Sequence, residues 1–145
     1  MNDWDIQKKL TRNDLGFTGS HQSGIAVPKK IVDMGYFPEL DSKKKNPDCW
    51  IEIQTDHKTY FWRYIHYNNR LTTPGGTRDE FRLTHTKEFL RDYKASEKDI
   101  LVIKFISKSS ERSDYKMECW INKHEEKNTD YKDRLVIDLS WKINH

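Results

Sequence analysis

At 145 residues, with 34% charged and 12% aromatic side chains, the chain has the size of one domain with a hydrophobic core. No run in it approaches the ~20 apolar residues of a membrane-spanning helix, and Met1-Asn2-Asp3-Trp4 lacks the basic start and apolar run of a signal peptide. The net charge of +3, from 26 basic residues against 23 acidic ones, permits a polyanionic partner without demanding one, because the distribution of charge matters more than its sum.

Few aliphatic residues and many rings suit a β-sheet better than a helical bundle. Residues 6–13 read as a short mixed strand. A glycine-rich loop follows, with Gly16, Gly19 and Gly24 spaced through a polar run that holds Ser20, His21 and Gln22. Residues 25–27 read as a strand ended by Pro28. From Pro28 the stripe Ile31, Met34 and Phe37 predicts a short helix, stopped by Gly35 and Pro38. Residues 41–47 form a polar loop containing Lys43, Lys44 and Lys45.

Strand signals dominate the rest. Cys49, Ile51 and Ile53 alternate with Trp50, Glu52 and Gln54, and the ring-dense segment 59–67 follows a turn, which predicts a hairpin. Residues 68–77 form a second exposed loop with Pro74-Gly75-Gly76 at its tip. Residues 78–83 resume an extended pattern. Residues 86–93 suit a short helix capped by Thr86. Strands are expected at 99–106, 115–121 and 135–139, the last of these closing the fold, while 124–132 is a charged stretch of helix or loop. About seven strands and two short helices make a small barrel or sandwich over residues 1–145, without repeat or linker. Cys49 and Cys119, each followed by Trp in an apolar run, read as buried free thiols rather than a zinc site or a disulfide.

Two loops carry the chemistry. Polar side chains between glycines have little to pack against, so the first loop presents His21 and Gln22 outward, with Lys29 and Lys30 at its end for a charged partner. No phosphate-cradling glycine motif fits it, and a plain turn is the bland alternative. At the second loop Arg78, Glu80 and Arg82 lie two apart and share one face of an extended segment, while Phe81 points to the core. Arg pairs bidentately with guanine O6 and N7, and Glu accepts from cytosine N4, so this row suits the major-groove edge of G·C pairs. The alternative is a surface ladder in which both arginines simply pair with Glu80.

The segment Thr18-Gly19-Ser20-His21-Gln22-Ser23-Gly24, the strand end at Pro28-Lys29, Phe37-Pro38-Glu39-Leu40, Tyr67-Asn68-Asn69-Arg70 and Thr77-Arg78-Asp79-Glu80-Phe81-Arg82-Leu83-Thr84 together resemble the N-terminal effector domain of EcoRII-type restriction endonucleases. The resemblance covers most of the chain and weakens after about residue 106. It implies a mainly β fold, a B3-like seven-stranded pseudobarrel with two short α-helices, also found in plant transcription factors. In that family two arms grip double-stranded DNA and read the major groove.

By position, the resemblance makes His21 and Gln22 of the first arm and Arg78, Asp79, Glu80 and Arg82 of the second base-reading residues. It sets Arg12, Ser20, Lys29, Lys30, Asn69, Arg70 and Thr77 against the DNA backbone. The implied target is a short G·C-rich pseudopalindrome such as CC(A/T)GG. The implied setting is the bacterial cytoplasm, with a nuclease catalytic domain on the same full-length chain and Mg²⁺ belonging to that domain alone. Two departures stand out: Phe81, where the family pattern has a basic residue, and the inserted-looking 71–76.

A nuclease site within this chain would need two acids sharing a metal beside a lysine. Pro47-Asp48 and Asp56-His57-Lys58 mimic one. Asp48 and Asp56 stand at opposite ends of one expected strand, about 26 Å apart at ~3.3 Å per residue, too far for one ion. Asp-x-Lys also recurs at 41–43, 92–94, 114–116 and 130–132, as chance allows in so charged a chain. The expectation is therefore no catalytic residue, no metal and no cofactor here. A small metal-dependent nuclease is one alternative; a β-rich interaction module presenting Trp50, Trp62 or Trp141 to another protein is the other.

Overall fold

Period-2 alternation of apolar and polar residues organises the chain into strands. The computed structural model describes residues 5–16, 24–108, 115–124, 135–136 and 140–144. In chain order the elements are β1 (Asp5–Lys9), β2 (Ile25–Val27), α1 (Lys29–Asp33), β3 (Asp48–Gln54), β4 (Thr59–Tyr67), α2 (Asn69–Thr72), β5 (Glu80–Thr84), α3 (Lys87–Asp92), β6 (Ile100–Lys108), β7 (Tyr115–Asn122), β8 (Leu135–Val136) and β9 (Trp141–Asn144). The strands form one curled sheet in the order β2-β5-β4-β3-β7-β6-β1-β9-β8. Every pairing is antiparallel except β3 with β7, where Ile51 faces Tyr115 in parallel register.

The expected hairpin of β3 and β4 is present, with Asp48 opposite Ile65 and Gln54 opposite Thr59. β5 continues the sheet on the far side of β4, pairing Tyr67 with Glu80 and Arg63 with Thr84. β2 then covers the outer edge of β5, Ala26 lying opposite Arg82. This four-strand leaf carries both loops of interest: one returns into β2, and the other joins β4 to β5.

Ile25, Val27, Ile51, Ile53, Trp62, Tyr64, Leu83 and Phe89 are buried together with Ile6, Leu101, Ile103 and Trp141. Fully burying one such side chain is worth about 1.5–3 kcal/mol. Rings set the geometry inside this core. Phe89 of α3 meets Tyr60 and Trp62 edge-on, at centroid distances of 5.4 and 5.3 Å, which seats the helix on the hairpin.

Several expectations need correction. The described residues contain nine strands and three helices rather than seven and two. β9 lies beyond the segment expected to close the fold. Its four residues are too few to stand out in the sequence, and they become a strand because Trp141 and Ile143 pair with Lys8 and Ile6 of β1. α2 is a single turn inside what reads as loop, since Leu71 and Thr72 both donate to the Asn68 carbonyl. α1 is shorter than the stripe suggests, and Gly35 behind it takes φ +83°. Thr86 starts α3 but makes no cap bond, because its own backbone is already helical. Trp62 and Trp141 are each 1% exposed, being on the core face of their strands; of the three tryptophans proposed for partner contact, Trp50 alone is exposed. Cys49 is half-buried and Cys119 buried, and both are free thiols.

Candidate nucleic-acid interface

The first loop is built at its two ends. On the entering side Thr11 and Asp14 form a reciprocal turn: Asp14 Oδ2 accepts from the Thr11 amide at 2.9 Å, and Thr11 Oγ1 accepts from the Asp14 amide at 3.2 Å. Lys8, buried beside it, pairs with the same carboxylate at 2.9 Å. On the returning side stands Gly24, with φ +84°. A Cβ there would lie 2.0 Å from the Leu83 carbonyl oxygen of β5, so only glycine fits. Residues 17–23, including Ser20, His21 and Gln22, lie outside the described residues.

The second loop is held from within. Asn68, fully buried, exchanges bonds with Asn46: its Oδ1 accepts from the Asn46 amide at 2.7 Å, and Asn46 Oδ1 accepts from the Asn68 amide at 3.2 Å. The Asn68 side-chain amide donates to the Lys44 carbonyl at 2.7 Å. α2 then turns the chain, and Gly76 packs on the Asn69 backbone so closely that a Cβ would meet its carbonyl oxygen at 2.1 Å. Asn69 Oδ1 accepts from the Arg78 amide at 2.6 Å, and the Arg78 carbonyl accepts from the Arg70 amide at 2.9 Å. Asn69, expected on the DNA backbone, is thus engaged in shaping the loop.

Beyond this brace, Glu80, Arg82 and Thr84 share a face with Arg63, Ile65 and Tyr67 of β4. The Arg78 guanidinium lies 3.8 Å from the centroid of the Tyr67 ring and bonds to Glu80 Oε1 at 2.5 Å. Arg82 also reaches Glu80, at 3.8 Å. The ladder weighed as the bland alternative is therefore present. Arg82, however, is only 3% exposed and donates to the Gly24 carbonyl at 3.0 Å. The second loop's strand thereby grips the root of the first. A groove of about 690 Å³ on this leaf is lined by Gly24, Arg63, Tyr67, Thr84, His85 and Lys87, among others.

Asp79 turns the opposite way. Its Oδ1 meets His66 Nε2 at 2.8 Å and its Oδ2 meets Lys29 Nζ at 2.6 Å. The His66 bond, then Lys29, hold its carboxyl below the usual carboxylate range. Phe81 stacks on His66 at 4.0 Å and on Tyr64 at 5.9 Å, pointing inward as its place between Glu80 and Arg82 demands. Two residues expected to touch DNA separately, Lys29 and Asp79, are here bound to each other.

Arg12, Lys30, Arg70 and Thr77 are exposed. Sequence reasoning missed His66, Tyr67 and Asn46. Tyr67 and His66 sit in a ring-rich strand where nothing separates a site residue from core, and Asn46 acts only through a partner 22 positions away. The two acids of the nuclease-like pattern are engaged at opposite ends of β3: Asp48 pairs with Arg63, and Asp56 accepts from the Tyr93 hydroxyl. Among the described residues no group of His, Cys, Asp and Glu is placed to hold a metal.

The model of one protein family, the N-terminal domain of restriction endonuclease EcoRII, matches residues 4–137. The chain belongs to the EcoRII N-terminal family. The type II restriction enzyme EcoRII of Escherichia coli is 35% identical over 85 residues, covering 56% of this chain and 20% of that enzyme. The chain thus spans about a fifth of that EcoRII relative's length. Among solved structures, FUS3 of Arabidopsis in complex with DNA matches at a TM-score of 0.50 and 16% identity, over 78% of this chain and 92% of its own. The B3 domain of the UbaLAI restriction endonuclease with its cognate DNA matches at 0.49 and 17%, over 80% and 66%. The fold of this EcoRII-family chain is the B3-like pseudobarrel, with more strands than expected. No helix among the described residues is long and apolar enough to cross a membrane.

Proposed function

We propose that this chain is a sequence-specific double-stranded DNA-binding domain, the targeting part of a type II restriction endonuclease whose catalytic domain lies elsewhere on the full-length protein. The observation that carries this reading is the braced row of Arg78 and Glu80 on the second loop, joined through Arg82 to the root of the first. A loop whose backbone is pinned by Asn68, Asn69 and Gly76 holds its side chains ready at little ordering cost, the condition for base reading rather than mere attraction.

In this reading the first loop enters the major groove with His21 and Gln22, and the second enters from the other side. Arg78 leaves the Tyr67 ring, or slides along it, to pair with guanine, while Glu80 accepts from cytosine N4. Lys29, Lys30, Arg12, Arg70 and Thr77 face phosphates and set register. The target class is a short G·C-rich pseudopalindrome such as CC(A/T)GG, met in the bacterial cytoplasm. Cutting, and the Mg²⁺ it requires, belong to the separate catalytic domain.

A gel-shift series with a CC(A/T)GG duplex and its scrambled counterpart, at two salt concentrations, tests the reading. A salt-sensitive shift that prefers one sequence supports it. If a pool of randomised duplexes yields no preferred sequence and no salt-sensitive shift, the DNA-binding reading fails, and the exposed rings of Trp50 and Phe61 point instead to a protein partner. Incubating supercoiled plasmid with the chain and Mg²⁺ tests the nuclease alternative; the plasmid is expected to remain intact.

A further inference from the structure

We infer that His66 is a positioning residue for DNA recognition: through Asp79 it steadies the stance of Arg78, and its hold on that carboxylate lets Lys29 leave for a phosphate. The inference rests on the DNA-binding reading above.

Arg78 and Asp79 precede β5, and the pairing of β5 with β4 begins only at Glu80 opposite Tyr67. Ladder pairing fixes Glu80 outward and so turns Asp79 inward, while Asn69 and Arg70 hold the Arg78 backbone; His66 is what holds the Asp79 carboxylate in that position. Its backbone amide donates to the Pro47 carbonyl at 3.0 Å, and its ring lies nearly parallel to Phe81, 13° apart and 4.0 Å between centroids. A ring stacked in this way on a held backbone offers Nε2 to Asp79 Oδ1 at 2.8 Å. With Asp79 held on the core side, alternation along an extended chain keeps Arg78 on the other side, where it meets Glu80 and Tyr67.

The second partner of Asp79 is unlike the first. Lys29 is the first residue of α1, and its side chain is 55% exposed on a flexible stem, whereas the His66 side chain is 8% exposed. A phosphate arriving at the interface competes for Lys29 Nζ. It does not reach His66. When Lys29 moves, Asp79 loses one bond and keeps the other, so its charge stays turned inward and does not swing out toward the phosphates. Phe81 supplies the surface on which the His66 ring is stacked.

Two variants separate the bond from the stack. His66→Phe keeps a ring against Phe81 and removes the bond to Asp79. His66→Gln keeps a side-chain donor and loses the ring. The readout is the affinity ratio between the duplex that the wild-type chain selects from a randomised pool and a scrambled duplex, beside thermal unfolding of each variant. His66→Phe is expected to lower that ratio about tenfold with little change toward the scrambled duplex, the scale of one lost base contact. His66→Gln is expected to stay within about threefold of wild type, well short of one lost contact.

A His66→Phe chain that retains the full ratio overturns the inference, as does a His66→Gln chain that loses as much as His66→Phe. Should His66→Phe fail to fold, the imidazole NMR spectrum of the wild-type complex decides. A protected Nε2–H resonance that survives DNA addition upholds the hold on Asp79, and its loss on DNA addition overturns it. If the wild-type chain selects no sequence at all, it is the DNA-binding reading that fails, a different result from any of these.

Discussion

Arg78 and Arg82 stand four residues apart on the same side of one extended segment, and they live in different worlds. Arg78 lies partly open on the Tyr67 ring with Glu80 beside it. Arg82 is buried and gives its guanidinium to a backbone carbonyl 58 positions earlier. The difference teaches that a row of like side chains on a strand need not be a row of like functions. At the loop end of β5 a charge is presented. Farther in, where β2 covers the strand, a charge must find a fixed acceptor, because an unpartnered buried cation is costly.

That contrast can be broken at its hinge. Gly24→Ala would place a methyl group against the Leu83 carbonyl at a positive φ, and a loss of about 3 kcal/mol, or failure to fold, is expected in urea unfolding. Next, Arg82→Ala should cost about 2 kcal/mol of stability by the same measurement, the scale of a hydrogen bond made by a charged group. A loss below about 0.5 kcal/mol, ordinary for a surface site, would return Arg82 to the same class as its neighbour.

Arg78→Ala should leave stability nearly unchanged, since exposed ion pairs contribute at most about 1 kcal/mol. Its cost should appear in DNA binding, at about 1–3 kcal/mol with preference relaxed at one base position. Affinity lost evenly over all sequences would remove its base-reading role. The smallest and least selective effect belongs to Lys29→Ala: a uniform weakening, with the slope of affinity against salt reduced by about one.

Much of the first leaf was legible beforehand. β2, the β3–β4 hairpin and the inward turn of Phe81 follow from local alternation, which a linear reading captures. The loop carrying Arg78 was legible too, through its Pro-Gly-Gly tip and its resemblance to one family. The braces of that loop were not. Asn46 and Asn68 satisfy each other across 22 positions, and either alone looks like any polar loop residue. His66 was hidden for the opposite reason, being one ring in a strand of rings.

The chain's own order of residues determined that this is a β-rich domain with two polar loops, because side-chain period and glycine placement act over a few neighbouring positions. Which charges are offered and which are spent inside was decided only by the tertiary structure. Burial and partner geometry are properties of strands brought together from distant positions, here the meeting of Arg82 with Gly24 and of Asp79 with both His66 and Lys29. A formal charge in the sequence is the same at every position, whereas its solvation and its partners are not.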